Sequence, residues 1–349
     1  QTEGATTDRK KKYSSDLATY DIRGFFSTDP YVVETFHRIY LDYAIPSRRT
    51  PFVPKHTRNV IRDHKAFQGK SHSVKGYYFN LISELHVAPS SFSPAIANSS
   101  KFTTWLLDKM LTTYLREPDS PWCHKALDVG AGTGVLGLTA YHVLKNSCHI
   151  DKPEVWAIEA SQDSFENLLR NCQGLAGFYP KPWRIVPTVN AEGEVTEAHF
   201  TDENGNRVQD EVFSGFDLVI GDLPFLDAHD GKDDDVRFLD PYHKTHQALF
   251  RAVQKPGLMA PNGVLVTAFS SLGGPEDIAT FDAIIRNSKL QVIQRVDFFE
   301  ANYMWMVYVI MRKTDYESAG HRFWWKRLGV NAVPELDVTN HRVDDNTQG

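Results

Sequence analysis

Cysteine is scarce. Cys123, Cys148 and Cys172 are the three among 349 residues, and none stands in a CxxC spacing. That excludes a disulfide framework and a thiolate zinc site, and it fits reduced thiols in a cytoplasm. Long hydrophobic runs are missing as well. No stretch approaches a bilayer-crossing length, and the first 30 residues hold no apolar core of the signal-peptide kind. A cytoplasmic protein with no membrane partner is therefore expected. No internal repeat and no Gly-x-Ser-x-Gly nucleophile elbow occurs.

A strong charge of one sign is also absent, because the whole chain carries only −6. The distribution is uneven. Residues 1–80 hold 14 Lys+Arg and 8 Asp+Glu, so the remainder carries −12. The basic stretch 51–76 has six Lys/Arg, three His and one Asp. With its neighbouring aromatics it is a surface that an anionic partner such as nucleic acid would suit, although no RNA-binding module is visible. The acidic run Asp230, Asp233, Asp234 and Asp235 lacks the spacing of a calcium loop and reads as a solvated loop. His86, His229, His243 and His246 are scattered. The last two are three apart at a helix start, but no third ligand is evident, so no metal is expected.

What is present is alternation. Residues 29–44 and 99–115 carry helical apolar spacing, and 76–97 read as a strand running into a Ser/Pro loop. From KALDVGAG at 125 onward, strands and helices alternate through EVWAIEAS, RIVPTVN, FDLVIG and GVLVTAFSS, and end in QVIQRVDFF and YMWMVYVIMRK. This pattern predicts an α/β fold with a doubly wound, Rossmann-like seven-stranded sheet and an antiparallel C-terminal strand pair. An inserted hairpin is expected between Asn190 and Phe216, with Asn204-Gly205 at its turn. Three regions follow: an N-terminal accessory region over 1–80, a core over 81–313 and a tail over 314–349.

Within the core, ALDVGAGTGVLGL (126–138) places Gly130, Gly132 and Gly134 between a strand and a helix. Such glycines permit a tight turn and close approach of a ligand. A dinucleotide site would show a third glycine at 135, but Val135 stands there. Asp128 at the turn would repel a pyrophosphate and suit a cationic ligand.

Asp128 through Gly134, with Glu159 ending the next strand, resembles the first two motifs of class I S-adenosylmethionine-dependent methyltransferases. The resemblance spans roughly residues 85–313. It implies S-adenosyl-L-methionine as cofactor, held by Asp128, Gly130, Ala131, Gly132, Thr133 and Gly134. It further implies that Glu159 and Ala160 meet the ribose and that Asn190 and Ala191 meet the adenine.

Asp222-Leu223-Pro224-Phe225, after FDLVIG, resembles the (Asn/Asp)-Pro-Pro-(Tyr/Phe) motif of the protein-glutamine and nucleobase N-methyltransferases, with leucine in place of the first proline. In such a motif Asp222 and the Leu223 carbonyl would accept the N–H bonds of a planar nitrogen, and Phe225 would stack on it. Segments 86–107 and 235–257 are similar to the flanking segments of that group, which implies substrate contacts from Phe92, Arg237 and Tyr242. The expected activity is methyl transfer, to an amide or amino nitrogen of a protein, peptide or small molecule. A nucleic-acid base remains an alternative acceptor, and a non-catalytic S-adenosylmethionine-binding scaffold is an alternative of another class.

Overall fold

The computed structural model describes residues 18–21, 71–89, 91–94, 98–114, 123–209, 213–225, 240–300 and 303–319. The expected helix over 29–44, most of the basic stretch, the acidic run, Arg237 and the end of the tail lie outside the described residues.

The chain enters with β1 (Ala18–Asp21), β2 (His72–Gly76) and β3 (Ile82–Val87). β2 pairs parallel with β1 and antiparallel with β3. The turn Tyr77–Asn80 between β2 and β3 is left-handed, with φ of 48°, 55° and 63° at Tyr78, Phe79 and Asn80. Non-glycine residues hold such angles only where their surroundings fix them. Here Tyr78 donates to Asp108 at 2.6 Å, and Tyr77 bonds Thr104 at 3.3 Å. Position 80 thus lies inside a turn pinned to helix α1 (Asn98–Tyr114).

The core begins at β4 (Lys125–Val129), followed by α2 (Val135–His142), which continues as a π-helical turn over Val143–Ser147. Next come β5 (Glu154–Ile158), α3 (Gln162–Asn171) and β6 (Phe178–Lys181). β7 (Arg184–Val189) and β8 (Val195–Thr201) precede β9 (Phe216–Gly221), α4 (Lys244–Gln254) and β10 (Met259–Ser270). α5 (Pro275–Arg286), β11 (Leu290–Glu300), β12 (Tyr303–Arg312) and α6 (Lys313–Ala319) close the described chain.

Seven strands form one sheet in the order β11-β12-β10-β9-β4-β5-β6. β10, β9, β4, β5 and β6 run parallel, and β12 is antiparallel to both β10 and β11. This is the doubly wound α/β fold with a reversed C-terminal pair that the alternation predicts. Strands β4, β9 and β12 are nearly all apolar because both their faces are buried. Helix α2 is apolar all round for the same reason: every one of its residues up to Tyr141 is buried.

The third strand of the sheet differs from the expectation. RIVPTVN does not join the sheet. β7 pairs only with β8, as a separate antiparallel hairpin. The sheet's edge is instead the short β6, which pairs with β5. Pro180 is tolerated there because an edge strand has one side free of ladder bonds. The hairpin is anchored by Arg251 of α4 and by Lys255 just past its end, which donate to the carbonyls of Val195 and Ala198 at 3.0 Å each. An aromatic cluster adds to this: Phe213 packs on Phe200, Phe216 and Trp156 with centroids 4.9–5.7 Å apart. Asn204-Gly205 does form a turn, but one closed by Asp202 and Asn206 after β8. The chain returns antiparallel across it, Thr201 pairing with Arg207, and the β7–β8 hairpin turns one strand earlier.

Candidate functional site

The chain steps from β4 to β5 and β6 on one side, then returns to β9 and β10 on the other. The order reverses between β4 and β9, and the crevice outside the carboxyl ends of strands at such a point is where open α/β sheets bind ligands. The glycine turn ends β4, and Asp222 follows β9. The two touch: a Cβ on Gly130 would stand 3.1 Å from Leu223 Cδ2.

The turn itself is left-handed at Gly130, Gly132 and Gly134, with φ of 72°, 54° and 82°. Gly134 is the position most closely confined, since an added Cβ would lie 2.5 Å from Leu168 Cδ1. Over Gly132 there is open space, with nothing within 4 Å of such a Cβ. The amides of Gly130 and Ala131 both donate to the Ile158 carbonyl at 3.0 Å, which ties the turn to the end of β5. Asn171 of α3 braces it from behind, donating to the carbonyls of Thr133 and His86.

Two carboxylates take amides of this turn and the helix start. Glu159 Oε2 accepts from Gly132 N at 2.8 Å, and its Oε1 accepts from Ser161 N at 2.8 Å. Asp128 Oδ2 accepts from Gly137 N at 2.8 Å. Gly137 N is one of the N–H groups that a helix start leaves without an intrahelical partner, and Gly134 at the cap has no side chain to serve it. Asp128, nine residues back on the strand, does so instead. A phosphate site needs those amides free. Here they are answered by acids, so the local field favours a cation.

All three acids of the site are shifted upward. Burial pushes Asp128 to about 7, against the pull of the Gly137 amide and with help from the charges of Asp222 and Glu159. Burial likewise raises Glu159, while the Ser161, Gly132 and Ala160 amides pull it back. Asp222 is raised by burial and eased by the hydroxyls of Ser100 and Ser99, then by His246. Those hydroxyls donate to Asp222 Oδ2 at 3.0 and 3.1 Å from the first turn of α1. Neither serine was singled out by sequence reasoning. The Ser-Ser pair opening an apolar-periodic helix was visible, but it reads as an N-cap signal and not as a partner of a residue more than 120 positions on.

The other expected residues are distributed as follows. Ala131 and Thr133 are buried within the turn, and Ala160 is exposed just past Glu159. Asp128 is only 2% exposed and bonded to the helix, so its direct structural task is capping α2. Leu223 is 4% exposed and packs over the glycine turn, filling the place where the resembled motif has proline. Phe225 is 7% exposed, and its ring sits edge-on to Trp305 of β12, 5.0 Å between centroids at 86°. Pro224 is half-buried between them in sequence. Phe92 is half-buried against the core, and Tyr242 is 65% exposed at the approach to α4.

Asn190 and Ala191 are not brought to the site by a sheet strand. They lie in the β7–β8 turn, where Asn190 pairs with Glu194 through backbone and side chain. The sheet strand next to β5 is β6, and β7, which leads into Asn190, pairs with β8.

No protein-family model matches the chain, and no curated protein does. Among solved structures, the chain is similar to the ribosomal protein L11 methylase of Lactobacillus delbrueckii subsp. bulgaricus, at 16% identity and TM-score 0.34 over 60% of this chain and 78% of that one. A methyltransferase from Pyrococcus furiosus gives 14%, 0.38, 73% and 98%. The Pyrococcus abyssi tRNA (uracil-54, C5)-methyltransferase in complex with S-adenosyl-L-homocysteine gives 15%, 0.37, 66% and 43%. At these TM-scores the likeness carries no functional argument, and the site's own geometry must do so.

Proposed function

We propose that this protein is an S-adenosylmethionine-dependent methyltransferase whose acceptor is a planar nitrogen of a protein, peptide or small molecule. The observation that carries the reading is the pairing of the glycine-turn and helix-start amides with Glu159 and Asp128 at a topological switch point. A turn satisfied by acids repels a pyrophosphate and receives a positively charged ligand.

The residues fit that cofactor. Open space over Gly132 leaves room at the turn for a ligand's close approach. Glu159 spends one lone pair per oxygen on Gly132 and Ser161. A carboxylate has about four such sites, so two remain for a pair of ribose hydroxyls. Asp128, Glu159 and Asp222 together supply negative potential around a sulfonium. When bound, S-adenosylmethionine supplies an electrophilic methyl group on that sulfonium.

The lip after β9 prepares the nucleophile. An amide or exocyclic amino nitrogen has a delocalised lone pair. Asp222 and the Leu223 carbonyl, accepting its two N–H bonds, favour the pyramidal form in which the lone pair is released. Ser99 and Ser100 hold Asp222 in orientation and favour its charged form against burial. Leu223, packed against Gly130, sets the lip directly beside the cofactor turn. Alignment of the reacting atoms then supplies much of the rate.

Transfer of a tritiated methyl group to fractionated cell extract tests this reading. Label in protein or small-molecule fractions, lost in Asp222→Ala, supports it. Label that is confined to nucleic acid would move the acceptor to a base, and no labelling in any fraction would refute enzymatic transfer.

A further inference from the structure

The side chains of Asp240, His243 and His246 come together behind the lip. Each offers a ligand atom, and these atoms lie within 4.8 Å of one another. All three residues are at most 1% exposed. A short turn over Pro241–His243 produces this, with Tyr242 and His243 left-handed at φ 57° and 51°. The reversal brings His243 inward beside His246, which lies in the first turn of α4.

Each imidazole is already oriented by a carboxylate. His246 Nδ1 lies 2.8 Å from Asp240 Oδ2, and His243 Nε2 lies 3.1 Å from Asp277 Oδ1 of α5. The other nitrogens, His246 Nε2 and His243 Nδ1, are buried without a hydrogen-bond partner among the described residues. Both rings are surrounded by phenylalanine, Phe269 and Phe281 lying within 6.1 Å of each and Phe250 beside His246. His243, with one nitrogen on Asp277 and a bare lone pair on the other, has the arrangement in which histidine binds metal, the carboxylate fixing tautomer and orientation. A lone pair buried among aromatic rings is costly unless something coordinates it.

We propose that Asp240, His243 and His246 bind one divalent transition ion of the zinc class, the ion taking the place of the proton between His246 Nδ1 and Asp240 Oδ2, with Asp277 orienting His243. Two imidazoles and a carboxylate form a borderline nitrogen and oxygen donor set, which suits zinc or cobalt and not calcium or magnesium. Two acids beside the ion offset its charge. Sequence reasoning saw the two histidines and lacked the third donor, which is Asp240, three residues before His243.

The site has a structural task. Leu249 of α4 presses on Gly221, where an added Cβ would meet its Cδ2 at 2.6 Å. His246, one turn earlier on the same helix face, stands toward the strand end that carries Asp222. An ion there would clamp the turn before α4 to α5 and brace the lip from behind. The ion does not depend on the methyltransferase reading, and the test is a metal measurement.

Untagged protein is purified without chelator, and its metal content is measured by mass spectrometry. The chelated protein is then titrated with Co²⁺ and followed by its visible d–d bands. About one equivalent of zinc-class metal, or one-to-one Co²⁺ binding with tetrahedral-type bands, is expected. The double variant His243→Ala, His246→Ala should lose it. That variant removes two buried side chains, so Asp277→Asn, which keeps shape and one hydrogen bond, is measured alongside. Its Co²⁺ affinity should fall by about 10–100-fold. Absence of metal from the purified protein together with no Co²⁺ bands would overturn the proposal, leaving a metal-free histidine–carboxylate network. Unchanged Co²⁺ affinity in Asp277→Asn and in a folded double variant would also overturn it.

Discussion

Glu159 and Gly132 are joined by a 2.8 Å hydrogen bond from the glycine amide to the carboxylate, across the gap between the ends of β5 and β4. The bond places an acid over the turn at Gly132, the one of the turn's three glycines with open space beside it. Glu159→Gln keeps the size and one acceptor oxygen but removes the charge. Hydrogen bonds to a charged partner contribute about 1.5–3 kcal/mol. S-adenosylmethionine affinity should therefore fall roughly tenfold to a hundredfold by calorimetry, with the far-ultraviolet circular dichroism unchanged.

The glycines of the turn separate by role. Gly134→Ala puts a side chain at φ 82° and 2.5 Å from Leu168, so it should lower unfolding stability by about 1–3 kcal/mol. Gly132→Ala meets no neighbour and should cost less stability while intruding on the ligand's space. Thermal melts and cofactor titrations on both variants check this. Equal effects on both readouts would contradict the division.

Asp222→Ala should abolish turnover while leaving cofactor binding near normal. Ser99→Ala with Ser100→Ala should leave Asp222 in place without the two hydroxyls that ease its ionisation. Its pKa then rises, so the acidic limb of the kcat/KM profile should move to higher pH. An unmoved limb would separate Asp222 ionisation from the reaction.

Asp128 links stability to pH. Its folded value is about 7, raised by burial from an ordinary 3.8. Between those values the folded chain holds a proton that the unfolded chain has released, so stability falls as pH rises through that window. The slope is at most about 1.4 kcal/mol per pH unit for this group. Glu159 and Asp222 are raised too, and their sign is the same. Asp128→Asn should flatten the dependence of melting temperature on pH between about 4 and 7. A slope equal to that of the parent would contradict the burial argument.

Local features of this fold were legible in the sequence. β4 and β9 are apolar runs because parallel strands bury both faces, and the glycine spacing after β4 is a contiguous signal. Glu159 and Asp222 were visible as acids at strand ends. Contacts between distant segments were not. Ser99 and Ser100 meet Asp222 only once α1 is laid across the end of the sheet. The bond from Gly137 to Asp128 depends on how closely α2 approaches β4.

The third sheet strand was misread for a physical reason. β6 has four residues with a proline, so its pattern is weak, and only its edge position makes it possible. RIVPTVN has the stronger β-branched content and does form a strand, but its partner is β8. Pairing is decided by the aromatic cluster around Phe213 and by Arg251 and Lys255, which no local pattern reveals.

Calorimetric titration of the purified protein with S-adenosylmethionine and S-adenosylhomocysteine, with NAD as control, tests the central claim most directly. Micromolar binding of the first two with none of NAD is the predicted result, and binding should strengthen as pH rises through about 7, where Asp128 ionises. Binding of NAD, or of none of the three, would contradict a glycine turn built for a cationic cofactor.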